Sequence, residues 1–421
     1  MTNILLRFNF RELFWLFIIA AFVSNFVGIG TYIPLSVFPL IFIYFINNEF
    51  SKSFWLNLAI LSAFCIIYSS MLFMYGFGET TSILGKLIYP ICFFILGDKL
   101  ARSSSSYKKV FRYLLVIVLA STLFGFLSVL NTINTFGSME VARQIIGRSA
   151  LSFWDSGVIA STILNMNLAF GSSLLGMFFL SDREQEHGKL IKIISLSSFI
   201  LSTYSIILLG NRTGVLIILA SFLIVFLFVQ RLNIRKIVIT IFSFFFSFIF
   251  YLFFQNNTFN LKTSWENSYI STRFITSSLT DDPRIVSWLV AFKGMIVNPM
   301  GGRITDISLG TAHNLWLDIG YDAGILPFFL ICAFTIASLY SLLVFLIRDH
   351  PVYLKAIILG FYTSFLISFM MEPIMLGGVT YFTTFCFVVG MIQRVNQDCG
   401  KRDNISDASE SSVVRKVKSG V

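Results

Sequence analysis

The sequence predicts an all-α polytopic membrane protein of about twelve transmembrane helices, with one large outside loop that carries an amphipathic helix. Composition comes first: of 421 residues 56% are hydrophobic, only 12% are charged, and Phe alone supplies 49. Mean hydropathy is +0.81, which no water-soluble core requires. Second, apolar runs of about 20 residues recur along the chain, the length a helix needs to cross a hydrocarbon slab of roughly 30 Å. Third, the short alternating segments of a transmembrane barrel do not occur in the sequence.

The first span, 13–33, follows Arg7 and Arg11 like the charged start of a signal peptide. No small-residue cleavage site follows it and a second apolar run begins at once, so it reads as an uncleaved anchor. Further spans are expected at 34–47, 54–75, 82–98, 110–132, 156–180, 191–210, 213–230, 236–255, 314–347, 355–372 and 378–393. The 314–347 stretch is too long for one perpendicular crossing, which puts its first turns outside the hydrocarbon. Residues 1–393 thus read as a single transmembrane domain, and 394–421, polar and Ser-rich, as a disordered cytoplasmic tail. Cys65, Cys92, Cys332, Cys386 and Cys399 have no metal-like spacing, and four of them lie inside apolar runs as packing residues.

Orientation follows from Lys and Arg in the short loops. Every second loop is basic: Lys52; then Lys99, Arg102, Lys108 and Lys109; then Arg183, Lys189 and Lys192; then Arg231, Arg235 and Lys236; then Arg348 and Lys355. That alternation places both termini in the cytoplasm. The net charge of +10 is therefore mostly topology, with attraction to anionic membrane lipid as a side effect, and it does not argue for nucleic acid. Two outside loops are long, 133–155 and 255–312, and both carry arginines that the charge bias disfavours there. Arg143 and Arg148 stand in the first with Asp155; Arg284, Lys293 and Arg303 stand in the second. An anionic ligand accounts for them.

The second loop has internal order. Asp282 and Pro283 form a helix start, and Ile285, Trp288, Leu289, Phe292, Met295 and Ile296 recur at helical spacing until Asn298 and Pro299. Residues 283–297 therefore read as an interfacial amphipathic helix that holds Arg284 near headgroup depth. Gly301 and Gly302 supply a turn, and His313 opens the next helix in HNLWLDIGYDAG, with Asp318 and Asp322 on one face. Arg212, in GNRTG, occupies the tight outside turn between two apolar spans. Glu372, before Pro373, and Lys86, inside the fourth span, are further polar residues in apolar context.

These motifs together resemble the O-antigen polymerase (Wzy-type) and O-antigen ligase superfamily. The matching residues are Arg212 in GNRTG, the PRIVSW stretch with Arg284, the NPMGG turn at 298–302 and HNLWLDIGYDAG at 313–324, over roughly 200–350. One departure is that neither Arg143 nor Arg284 is followed by Gly in the R-x10-G pattern of many polymerases, so the superfamily is better supported than either member. Polymerase is the favoured member. The resemblance implies a GT-C-like fold and, as substrate, an undecaprenyl-diphosphate-linked oligosaccharide, transferred at the periplasmic face of a bacterial inner membrane. It implies a chain-length regulator and a flippase of the same pathway as partners. No carboxylate pair with metal-ligand spacing stands out in the second loop, Asp281 and Asp282 being adjacent helix-capping residues, so no metal or other cofactor is expected.

The residue types suit that chemistry. Guanidinium groups pair bidentately with diphosphate oxygens, a role for Arg212 and Arg284 with Arg303 as a third. The attacking sugar hydroxyl needs a base, for which His313 is the natural group, oriented or replaced by Asp318 or Asp322. Lys293, Arg143 and Arg148 complete the expected substrate contacts. Two alternatives stand beside the polymerase: a ligase that passes the lipid-linked glycan to lipid A-core, and a transporter of such glycans. The transporter should show related halves with matched Gly or Pro breaks and mid-membrane charges, which the sequence lacks.

Overall fold

The computed structural model describes residues 10–102, 107–180, 188–228, 238–239, 241–242 and 283–418. They are mostly helical. In chain order the elements are α1 (Phe10–Val23), α2 (Ile33–Ile46), α3 (Lys52–Met74), α4 (Thr80–Arg102), α5 (Tyr107–Phe136), α6 (Met139–Ile146), β1 (Ser149–Leu151), β2 (Val158–Ala160), α7 (Ser161–Ser173) and α8 (Leu175–Phe179). There follow α9 (Gly188–Leu209), α10 (Arg212–Phe228), α11 (Pro283–Val297), α12 (Leu315–Ala323), α13 (Ile325–Ile347), α14 (Val352–Met371), α15 (Ile374–Gly377) and α16 (Val379–Lys418). Among the described residues seven helices are long and apolar enough to cross a membrane: α3, α4, α5, α7 with α8, α9, α13 and α14. The protein is thus an all-α membrane protein at the level of architecture.

Several expected spans differ in detail. The first is shorter than 13–33, because α1 stops at Val23 and two 3-10 turns follow. Asn25 and Val27 there take left-handed backbone conformations, which no α-helix accommodates. The expected 314–347 span is two helices, broken at Gly324. The expected 236–255 span falls almost wholly outside the described residues. The last helix continues to Lys418, through the segment expected to be a disordered tail. The first long loop, expected over 133–155, runs instead from the end of α5 at Phe136 to the start of α7 at Ser161, and folds as α6 followed by a two-stranded antiparallel hairpin with Ser149 opposite Ala160 and Leu151 opposite Val158.

Helix α7, buried along almost its whole length, is the centre of one half of the bundle. It packs antiparallel to α14: Gly360 lies against the backbone of Ser173, and the Ser364 hydroxyl donates to the Ala169 carbonyl at 3.3 Å. The many phenylalanines find their use here. Phe365 meets Phe170, Tyr381 and Phe385 with ring centroids 5.0–5.3 Å apart, edge-to-face contacts that fill space without leaving a polar group unpaired. In the other half α4 crosses α16 at a small-residue seam, Gly97 against the Phe387 carbonyl and Gly390 against that of Phe94.

This packing sorts the chain ends of the helices. One end of the bundle gathers the α5–α7 connection, the α9–α10 turn, the 298–314 segment and the C-terminus of α14. The other gathers the helix ends carrying Arg11, Lys52, Lys99, Lys109, Lys189, Arg348 and Lys355.

At the first end, the NPMGG turn is clamped onto the break between α12 and α13. The Ile325 amide donates to the Pro299 carbonyl at 2.8 Å and the Gly302 amide to that of Asp322 at 3.0 Å. Gly301 and Gly324 both have positive φ, 84° and 93°; a side chain on Gly301 would enter the backbone of Ala323 and Gly324, and one on Gly324 the backbone of Pro299 and Met300. Gly324→Ala is therefore expected to destabilise the protein by about 1–3 kcal/mol or more, read as a drop in the thermal midpoint of the purified protein. An unchanged midpoint would show that this contact bears no strain.

Candidate functional site

Residues 311–322 position the site. The Asp318 carboxylate accepts the backbone amides of Ala312 at 2.6 Å and Asn314 at 3.2 Å, from one turn further along the chain. His313 lies between those two donors and is held with φ +53°, in the left-handed region. Asn314, not His313, caps α12: its side chain accepts the Leu317 amide at 3.2 Å. The imidazole is therefore not engaged in capping. Instead its Nδ1 lies 4.0 Å from Oε2 of Glu372, a carboxylate with 0% exposure, while the His313 side chain keeps 21%.

Arg284 reaches the same place from α11. Its Nη1 is 3.9 Å from the Met371 Sδ, the residue before Glu372, while the Asn314 amide group contacts the Met370 carbonyl at 3.5 Å. Around the last turn of α14 a histidine, a buried glutamate and an arginine thus meet from three separate segments. The face of α11 that packs inward is made of Ser287, Ala291 and Gly294 with Met295, small residues that let the helix approach closely. Ile285, Leu289, Phe292 and Ile296 stay exposed, and so does Lys293, on the side away from the packed face. The expected apolar stripe is thereby divided, with Trp288 and Met295 turned toward the protein.

Arg212 is the first residue of α10, after a turn in which Gly210 has φ +63° and the Asn211 side chain accepts the Thr213 amide at 2.9 Å. Arg143, from α6, donates to the Leu208 carbonyl just before that turn. Two arginines expected as ligands, far apart in sequence, therefore share one turn at the same end of the bundle as His313. Arg148 precedes β1 and is exposed.

Arg303 is engaged differently. Its Nε pairs with Asp322 Oδ1 at 2.7 Å, and its guanidinium lies over the Phe77 ring at 4.3 Å. Asp322 also accepts from the Tyr68 hydroxyl at 3.3 Å, and Lys86, buried in α4, sits within the field of both Asp322 and Arg303. This set ties α3, α4, α12 and the Gly turn together. Burial works against the Arg303 charge, but the Asp322 hydrogen bond and carboxylate outweigh it and hold the guanidinium above its ordinary pKa. The expectation that Asp318 or Asp322 orients His313 is thus not what the geometry provides. Asp318 fixes the backbone on either side of His313, Asp322 anchors Arg303, and the carboxylate beside the imidazole is Glu372. The signal for it in the sequence was a glutamate before Pro373 at the end of an apolar span.

Electrostatically the site is a mixed field. Burial, then the neighbouring Asp322, push the Asp318 carboxyl up to about 7, against the pull of the two backbone amides and Arg303. No protein-family model matches the chain, and no curated protein matches it either.

The Asp318 shift has a signed consequence. Its folded pKa lies above the unfolded value, so the group contributes most stability below about 4 and loses it as pH rises toward about 7. Wild-type thermal stability should fall across that window, and Asp318→Asn should flatten this part of the profile. Parallel profiles for the two proteins would contradict a carboxyl titrating there.

Proposed function

We propose that the chain is a glycosyltransferase, an O-antigen polymerase that joins undecaprenyl-diphosphate-linked oligosaccharide repeat units at the periplasmic face of a bacterial inner membrane. The observation that carries this reading is the meeting of His313, Glu372 and Arg284 at the end of α14, with Arg212 and Arg143 on a neighbouring turn of the same bundle end. A base backed by a buried carboxylate, close to guanidinium groups at a membrane boundary, suits transfer from a lipid diphosphate.

The chemistry assigns each group a task. The acceptor sugar hydroxyl attacks the anomeric carbon and loses its proton to the His313 Nε2, while Glu372 beside Nδ1 orients the ring and stabilises the imidazolium. The bond from the anomeric carbon to the phosphate oxygen breaks, and the diphosphate leaves with the electron pair. Arg284 and Arg212 offset the charge on that leaving group. Arg303 and Asp322 hold the Gly turn in this reading, and the lipid anchors of both substrates require a site at the bilayer boundary. Both described chain ends, α1 at Phe10 and α16 beyond Arg394, then lie in the cytoplasm, with a chain-length regulator and a flippase of the pathway as partners.

His313→Ala and Arg284→Ala should each reduce glycan elongation by about 10²-fold or more while membrane insertion stays at the wild-type level. Wild-type glycan ladders from both variants would sink the assignment. A deletion strain separates the alternatives on one gel. Loss of a polymerase leaves lipid A-core with a single repeat unit, loss of a ligase leaves bare core with lipid-linked glycan accumulating, and loss of a transporter strands single units on the cytoplasmic leaflet.

A further inference from the structure

At the bundle end opposite His313 lies a cavity of about 150 Å³ between α1, α4 and α5, lined among others by Arg11, Glu12, Trp15, Lys99, Lys109 and Tyr113. It is far from the candidate site. Along α4 alone, Lys86 near Asp322 and Lys99 at the cavity are separated by a rise of about 20 Å. Its volume exceeds the roughly 10–15 Å³ that one water requires, so a phosphate group has room.

We propose that this cavity binds a phosphate-bearing anion. Three cations converge on it, and the one carboxylate in its lining is already engaged: Glu12 Oε1 pairs with Arg112 Nη1 at 2.9 Å. Lys99 is 8% exposed, yet the contacts of its ammonium are with neutral groups, the Leu40 carbonyl at 3.3 Å and the Trp15 ring at 4.5 Å. The positive-inside bias accounts for basic residues at this flank, but it does not ask that an ammonium be withdrawn from water around a cavity. Burying one without an anion is unfavourable, and a bound phosphate removes that penalty. Arg11 is exposed, so the cavity opens to the surface.

The same chemistry has two sources, the headgroup of an anionic phospholipid or a soluble phosphate compound. Exposed Leu13, Phe14 and Phe17 on the same α1 helix offer acyl chains a surface beside the cavity. The test uses the full-length protein in neutral detergent, titrated with inorganic phosphate against chloride at matched ionic strength. In parallel, nanodiscs of phosphatidylcholine are compared with nanodiscs that also contain phosphatidylglycerol, and thermal midpoint is the readout. Arg11→Gln with Lys109→Gln, which leaves the buried Lys99 in place, is the comparison protein.

Stabilisation of wild type by phosphatidylglycerol alone identifies a headgroup, and stabilisation by inorganic phosphate identifies a site that soluble phosphate fills. In either case the double variant should need about tenfold more ligand for the same shift. No shift with either probe, or equal shifts in wild type and double variant, would overturn the proposal. Lys99→Met adds a direct measure of the buried charge, and the comparison of wild type with the double variant stands whether or not that protein folds.

Discussion

The end of the bundle that holds the candidate site depends on two backbones touching where neither has a side chain. Gly301 and Gly324 lie back to back, which lets the Pro299 carbonyl reach the Ile325 amide and ends α12 where α13 begins. Pro327, in the first turn of α13, has no amide with which to continue a helix from α12, and the contact at Gly301 fixes where the break falls. The break turns nine residues into a separate short helix, α12, whose Asp318 and Asp322 are both buried. Each of those carboxylates then has a loop to hold, Asp318 the turn at 312–314 and Asp322 the segment at Arg303.

A second layer of organisation comes from what is packed behind the turn. The His313 segment lies against the last turn of α14, and α14 is itself fixed antiparallel to the buried α7 by small-residue contacts and serine hydrogen bonds. Glu372 is thereby placed by the deep core of the bundle, while Arg284 is brought by the peripheral α11. The site joins a firmly packed group to one carried on a helix whose outer face is open, Leu289 and Phe292 being exposed. Arg303, tied to Asp322 and Phe77, belongs to the framework beneath.

Much of this could be read from the residues in order. Hydropathy located most helices, and Pro283 with Asn298 and Pro299 bounded α11 closely. The break has a local sign, Gly324 followed by Pro327, but the backbone that arrives against it has none, because Gly301 is distant in sequence. The partner of His313 escaped for a related reason: helical spacing nominates Asp318 and Asp322, four residues apart, whereas Glu372 comes from a later helix. Conversely, the pairing of Arg143 with the turn before Arg212 had no trace in either loop, since a guanidinium donating to a carbonyl leaves no residue pattern to find.

The conformation of position 313 has one more consequence. A positive φ there is most easily adopted by glycine, and a side chain with a β-carbon raises the energy of the folded protein by about 1–2 kcal/mol. Capping is supplied by Asn314 and the backbone geometry by Asp318, so a glycine would serve the local architecture at least as well. Stability alone therefore does not account for an imidazole at this position.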